Sequence, residues 1–485
     1  MAALGDILPE EPRMRSIASP PPPHPTPLRR GTAWLASVLG ALALSACTEK
    51  PREPSPALPD VCADTGGAQR EVTWYRDVKP VLDAKCAGCH QEGGIAPFSL
   101  TTTAQVQAMK GAILHSVCER SMPPWPAHRD CNQYRHDRSL SDEQIALIRD
   151  WVRAGAPLGD ASDAPAETPP DTAQLSRVDL ELAMNEPYTP KEHPDEYRCF
   201  MIDWPETEEK FITGIGVRPG KTELVHHVLV AAVAPDILDA YLQADEADPG
   251  PGFSCPGGPN PPKGPLGSRG ALIGGWVPGG EGRDLPAGTG VRIQPGSKLV
   301  MQLHYNTSSA PPSPDLSKLL LKLDGSVAHE AFLFPFTNPE WIRDKKMSIP
   351  QGESDAVHIF GYDALDFASR VSKQRIRANA PLSVYGAQLH MHQRGTRTVL
   401  TVEKGDKEKA CLLEIPEWNF HWQGLYFLQQ PVRVSPGEAL RLECHWNNAG
   451  FTPHHGDMLP AVSGLNWGEG THDEMCVAFL YVTQE

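Results

Sequence analysis

Short apolar runs separated by turn residues fill the chain from Tyr188 to its end. Runs such as LVHHVLVAAV (224–233), KLVMQLHYN (298–306), LSVYGAQLHMH (382–392) and EMCVAFLYV (474–482) are rich in β-formers and bounded by Gly, Pro, Asn and Asp. That pattern predicts strands, so this region reads as all-β. About 300 residues is too much for one ordinary domain, and the expected division is into two sandwiches, 186–327 and 328–485. A different periodicity occupies 71–159. Val78, Val81 and Leu82 have helical spacing, and Ser141-Asp142-Glu143-Gln144 forms a capping box that opens IALIRDWVRAG, which stops at Gly155. The spacing predicts a small all-α module with helices at Tyr75–Lys85 and Ser141–Gly155. The tract DASDAPAETPPDTA has no periodicity and marks a linker over 160–185.

The N-terminus reads as an export signal. Arg29-Arg30 precede an apolar run, GTAWLASVLGALAL, that ends at Ser45-Ala46-Cys47. The run is shorter than the roughly 20 residues a membrane span needs. Leu44-Ser45-Ala46-Cys47 resembles the bacterial lipobox, which implies a signal peptide over 1–47, lipidation of Cys47, and an exported protein anchored to the membrane of the cell envelope. The Pro-rich stretch 48–70 then reads as a disordered tether. Composition narrows the classes further. With 44 Lys+Arg against 60 Asp+Glu the 485-residue chain carries a formal charge of −16, which excludes a nucleic-acid binder. The 42 glycines and 49 prolines exclude a coiled coil.

Two sets of residues carry chemistry. Cys86-Ala87-Gly88-Cys89-His90 is a CxxCH sequence, whose spacing lets two thiols capture a haem while the adjacent imidazole reaches the iron. A disulfide or half a zinc site competes for the same cysteines, but no second CxxC pair accompanies them. Met122, held among prolines in Ser121-Met122-Pro123-Pro124-Trp125, is the candidate sixth ligand, with His115, His128 and His136 as rivals. The segment Trp74–Pro157 resembles small bacterial cytochrome c modules. In the β region the candidate ligands are His226-His227, His304, His390-Met391-His392 and Met475. His390 and His392, two apart in a strand, share a face and can chelate one ion. His226 and His227 are adjacent, so a regular strand would send them to opposite faces, and joint use needs a bulge or a strand end. A thioether such as Met475 selects copper over zinc.

These residues also carry a family resemblance. Thr189-Pro190-Lys191-Glu192, Tyr197-Arg198-Cys199-Phe200, Val225-His226-His227-Val228, Met301-Gln302-Leu303-His304-Tyr305, Leu389-His390-Met391-His392 and Thr471-His472-Asp473-Glu474-Met475-Cys476 occur in the order found in the copper type II, ascorbate-dependent monooxygenases. That family includes the peptidylglycine alpha-hydroxylating and dopamine beta-monooxygenases. The resemblance implies two jelly-roll-like β domains and two copper ions. One would be held by His226, His227 and His304, the other, catalytic, by His390, His392 and Met475. It also implies disulfides Cys199–Cys255 and Cys444–Cys476. After Cys47, Cys86 and Cys89 are set aside, eight of the 11 cysteines remain. A local bridge Cys118–Cys131 is expected, with Cys62 and Cys411 unassigned.

Where peptide-hydroxylating relatives clamp a substrate carboxylate, this chain has Gln388, Val477 and Phe479. That clamp cannot form at those positions, and an apolar or aromatic substrate body is expected there. The dense cluster His445, His454-His455 and His472 matches no ligand position of the family. The reading is a monooxygenase that hydroxylates a C–H bond of a small organic substrate with O2. Its electrons would come from an ascorbate-like reductant or redox protein through one covalent c-type haem. A non-catalytic copper or haem electron-transfer lipoprotein is the alternative.

Overall fold

The computed structural model describes residues 50–63, 71–92, 96, 98–166, 175–256, 258–261, 270–276, 282–307, 310–405, 407–420, 422–452, 458–468 and 472–484. The expected signal segment with Cys47, and the pair His454-His455, lie outside these residues.

The helical module begins with a π-helical turn, Trp74–Val78, that runs into α1 (Lys79–Lys85), and continues with α2 (Thr103–Cys118) and α3 (Asp142–Arg153). The capping box at Ser141 forms as its sequence demands: the hydroxyl accepts from Gln144 N–H and the Gln144 side chain accepts from Ser141 N–H. Gly155, at φ 87°, turns the chain out of the helix in a conformation that favours glycine. Val78, Leu82, Val106, Ile113, Ile145, Ile148 and Trp151 make a separate core.

Ten strands form the first sandwich: β1 (Leu180–Ala183), β2 (Asp195–Asp203), β3 (Lys210–Arg218), β4 (Val225–Val233), β5 (Phe253–Ser254), β6 (Ala271–Trp276), β7 (Arg283–Asp284), β8 (Thr289–Ile293), β9 (Lys298–Asn306) and β10 (Lys318–Asp324). Sheet β5-β2-β9-β4-β6 faces β1-β10-β3-β8, with β7 paired to β3. Phe200, Val228 and Met301 meet Ile212, Leu319 and Leu321 in the core between them.

The second sandwich comprises β11 (His329–Phe336), β12 (Ala356–Asp363), β13 (Leu382–His390), β14 (Gly395–Lys404), β15 (Lys407–Ile415), β16 (Tyr426–Val434), β17 (Ala439–Trp446) and β18 (Val477–Gln484). Here β12-β17-β14-β15 packs on β11-β18-β13-β16. A short parallel contact of β8 with β11, at Thr289/His329 and Gly290/Glu330, fuses one sheet of each sandwich into a nine-stranded sheet. The two sandwiches are therefore joined through backbone hydrogen bonds.

The helical module is fixed to the second sandwich. Tyr134 bridges Leu428, Arg135 N donates to Phe427 O (2.8 Å), Gln429 N donates to Gln133 O (2.9 Å), and Cys131 is disulfide-bonded to Cys411. This corrects the expected Cys118–Cys131 bridge. Cys118 ends α2 against the incoming chain and pairs with Cys62, while Cys131 lies on the segment that joins β16 and reaches Cys411 instead. Cys199–Cys255 and Cys444–Cys476 are formed. Four disulfides mark a protein of an oxidising, exported compartment. Among the described residues no helix is long and apolar enough to cross a membrane.

The expected disordered tether is also corrected for residues 50–63, and charge is the reason. Glu414 and Glu443 point outward from β15 and β17 yet are wholly buried, because Arg52, Arg397 and Arg441 cover them. Arg52 Nη1 lies 2.6 Å from Glu414, and its backbone N–H donates to Glu443 at 2.9 Å. Burial alone would push Glu443 up, but hydrogen bonds from His445 and Arg52 and the Arg441 charge hold it at about 2. Its stabilisation is thus complete above the ordinary glutamate range and is lost as pH falls from about 4.5 towards 2. Allowing for solvent at Arg52, it is on the order of 2 kcal/mol. Thermal unfolding followed across that window should show the loss in the native chain and a flatter profile in Glu443→Gln; parallel profiles would show that this network adds no acid-sensitive stability.

Candidate functional site

The first histidine set rests on a local fault in a strand pair. β4 and β9 run antiparallel, but their register shifts between Val225 and His227, so the chain bulges at His226. The extra residue turns both adjacent imidazoles to one side, where His304 of β9 joins them. His227 Nδ1 lies 3.4 Å from His226 Nδ1 and 3.3 Å from His304 Nδ1, and ligand atoms of the three rings all lie within 4.8 Å of one another. Burial first, then the neighbouring His304 and His226, hold His227 well below the ordinary histidine range, so it is neutral. His304 Nε2 donates to Asp195 Oδ1 (2.8 Å), which leaves the lone pair on Nδ1, facing its neighbours. Tyr197 stacks on His304 at 4.2 Å and braces the ring.

The second set lies where β13 ends. His390 and His392 have ring centroids 5.1 Å apart. His390 Nδ1 donates to Gln423 Oε1 (2.6 Å) and His392 Nδ1 donates to Asp473 O (3.0 Å), so in both rings the lone pair is on Nε2. Burial lowers the His390 pKa. Met475, 2% exposed, faces the same cavity as both rings.

Glu474 ties these pieces together. Its buried carboxylate accepts from His392 N (3.0 Å), Arg394 N (2.6 Å) and Trp446 Nε1 (2.9 Å). Burial pushes it up to about 7 against the pull of those donors. The Cys444–Cys476 bridge secures the same segment to β17.

Both histidine sets open on one cavity of about 170 Å3 between the sandwiches. Phe420 stands between them, stacked near His226 (6.2 Å) and edge-on to His392 (6.1 Å). Ile215, Ile273, Trp276, Leu333, Phe427 and Phe479 give the cavity an apolar wall, and Gln388 and Arg283 are among its few polar groups. Val477 lies opposite His390 on the ladder and is fully buried, so it does not itself line the cavity. His445 is committed to Glu443 and Asp355. Phe420, Gln423, Asp195 and Arg283 carried no motif in the sequence, and only the fold brings them here; Asp473 stood in the motif before Met475 without a role of its own.

In the helical module Cys86 and Cys89 remain thiols while the other eight described cysteines form disulfides. His90 Nδ1 donates to Phe98 O (3.1 Å), which leaves the Nε2 lone pair for a ligand. Met122, 37% exposed, precedes a cis peptide to Pro123. The His128 ring contacts Pro56 O and Asp130 N, while its backbone N–H donates to Glu414 O of the second sandwich (2.9 Å).

Comparison with known proteins finds one matching domain family and several distant relatives. Residues 368–484 match the copper type II ascorbate-dependent monooxygenase, C-terminal domain. The chain is similar to DBH-like monooxygenase protein 1 of Gallus gallus, 24% identical over 373 residues, covering 71% of this chain and 55% of that protein. It is also similar to Tyramine beta-hydroxylase of Caenorhabditis briggsae, 23% identical over 374 residues, covering 73% and 57% respectively. Dopamine beta-hydroxylase of Canis lupus familiaris is 24% identical over 184 residues, covering 38% of this chain and 27% of that protein. The chain spans about half the length of the first two relatives.

Removing the Glu474 carboxylate would leave three buried N–H donors without an acceptor. Glu474→Ala should therefore cost about 3 kcal/mol or more in chemical denaturation; a loss under about 1 kcal/mol would show that the site does not depend on it.

Proposed function

We propose that this chain is a dicopper monooxygenase that hydroxylates a C–H bond of a small organic substrate with O2, drawing electrons through a c-type haem on its helical module. The observation that supports this most is the pair of histidine sets facing each other across one apolar cavity. His226, His227 and His304 would hold one copper, and His390, His392 and Met475 the other. The donor sets suit that metal: imidazole nitrogens converge in the first, and the second adds a thioether, which favours Cu(I). When bound, the copper ions supply electrons and activate O2 for attack on a C–H bond.

The chain's own groups do the positioning. Gln423 and Asp473 O fix the tautomers of His390 and His392, and Asp195 does so for His304. Glu474 holds the turn after His390 at a set distance from Met475. The leucine, isoleucine and aromatic walls exclude water and receive an apolar substrate body, with Gln388 offering an amide. Cys86 and Cys89 would bind the haem covalently and His90 its iron, with Met122 as the sixth ligand; a bound haem supplies single electrons. The disulfide from Cys131 keeps this module on the second sandwich. An acyl group on Cys47 would anchor the exported chain to a membrane.

Two coppers and one iron per polypeptide are expected from metal analysis of the matured chain. Met475→Ala should abolish hydroxylation and leave the haem spectrum unchanged. O2 uptake without hydroxylated product in the fully loaded protein would instead favour a non-catalytic electron-transfer role. Asp195→Ala should weaken copper binding at the three-histidine set about 10- to 100-fold in a competition titration; unchanged affinity would remove Asp195 from that site.

A further inference from the structure

Three parts of the molecule bring hydrogen-bond donors together without an acceptor. Arg283, on β7 of the first sandwich, lines the cavity, lies over the Phe427 ring (5.8 Å) and donates Nη1 to Leu425 O (3.0 Å). Among the described residues no carboxylate pairs with it, and most of its five N–H groups find no acceptor among them. Arg138, from the segment between α2 and α3, lies over the Trp125 ring (5.9 Å) and likewise has no ion pair among the described residues. The Trp125 indole N–H is buried without a partner. Tyr426, at the start of β16, packs edge-on to Trp125 (5.0 Å).

Two adjacent acids among the described residues are engaged elsewhere. Asp137 accepts from Ser139 N (2.7 Å), and Asp284 accepts from Ser176 and Lys322. Burial, with the Arg138 charge adding to it, holds Arg283 down to about 10. In a chain with 60 acidic residues against 44 basic, two guanidiniums that have no carboxylate partner among the described residues make a cationic patch suited to an anion.

We propose that Arg283 and Arg138, with the Tyr426 hydroxyl and the Trp125 indole N–H, form a carboxylate-binding site where the helical module and the two sandwiches meet. A guanidinium fork matches a carboxylate in plane and spacing, and the apolar wall beside Arg283 suits an organic acid better than a small hydrated anion. The guanidinium missing at Gln388 is thus supplied from the first sandwich. The carboxylate has two sources, a substrate in the cavity or a propionate of the haem, and in naming them this inference rests on the function proposed above.

The full chain, haem-matured and copper-loaded, is titrated with benzoate, phenylacetate and inorganic phosphate while tryptophan fluorescence is followed. Saturable binding of the organic acids, weakened at least tenfold in Arg283→Gln and less in Arg283→Lys, supports the site and assigns it to substrate. No response to added acid, together with an altered Soret circular dichroism and a lowered haem potential in Arg138→Gln, supports the site and assigns it to a propionate. Binding of phosphate alone, or neither response, overturns it. Iron and copper counted on the same preparations separate the two conclusions. Organic-acid binding by a chain without metal keeps this site while the proposed function falls. Two coppers, one iron and product formation with neither response overturn the site alone.

Discussion

A single buried carboxylate sets the geometry on which the second histidine set depends. Glu474 is in no ion pair among the described residues and is held by three N–H donors, two of them from the backbone of the turn after His390. A charge or acid in that position is stable only while all the donors stay in place, so the turn, the β17 tryptophan and the chain leading to Met475 are fixed as one unit. Side chains that must meet across a cavity cannot be placed by flexible loops, and here two strands, a disulfide and this carboxylate do the placing.

The two histidine sets reach their positions by different physical means, and this decides how much of each was legible. The HxH pair was legible from strand periodicity in Leu389-His390-Met391-His392, although β13 stops at His390 and Glu474 holds the turn that carries His392. The adjacent pair defied that periodicity; the bulge between Val225 and His227 resolves it, but a bulge depends on the pairing with β9, which no local pattern encodes. The helix from Asp142 was legible because its cap lies within four residues of sequence. The Cys131–Cys411 bridge was not, because its partners are 280 residues apart and spacing says nothing about which segments the fold brings together.

The seam between the helical module and the second sandwich makes the chain's parts less independent than its linkers suggested. Tyr134 contributes to the β-ladder edge beside Leu428, and the next residue of that ladder, Phe427, lines the cavity. Only Leu425 and Gly424 separate Tyr426 from Gln423, which holds His390. A strain or shift at the module's docking edge is thus a few covalent bonds from the histidine pair.

The strap formed by Arg52 has a geometric consequence for how the molecule sits in its surroundings. Lys50 O accepts from Arg441, so the chain is already laid on the outer sheet at that residue. Three residues of chain span at most about 10 Å. An acyl group on Cys47 would therefore not hold the protein on a long leash above the bilayer. It would moor the molecule by its β12-β17-β14-β15 face, giving it a fixed bearing to the lipid surface.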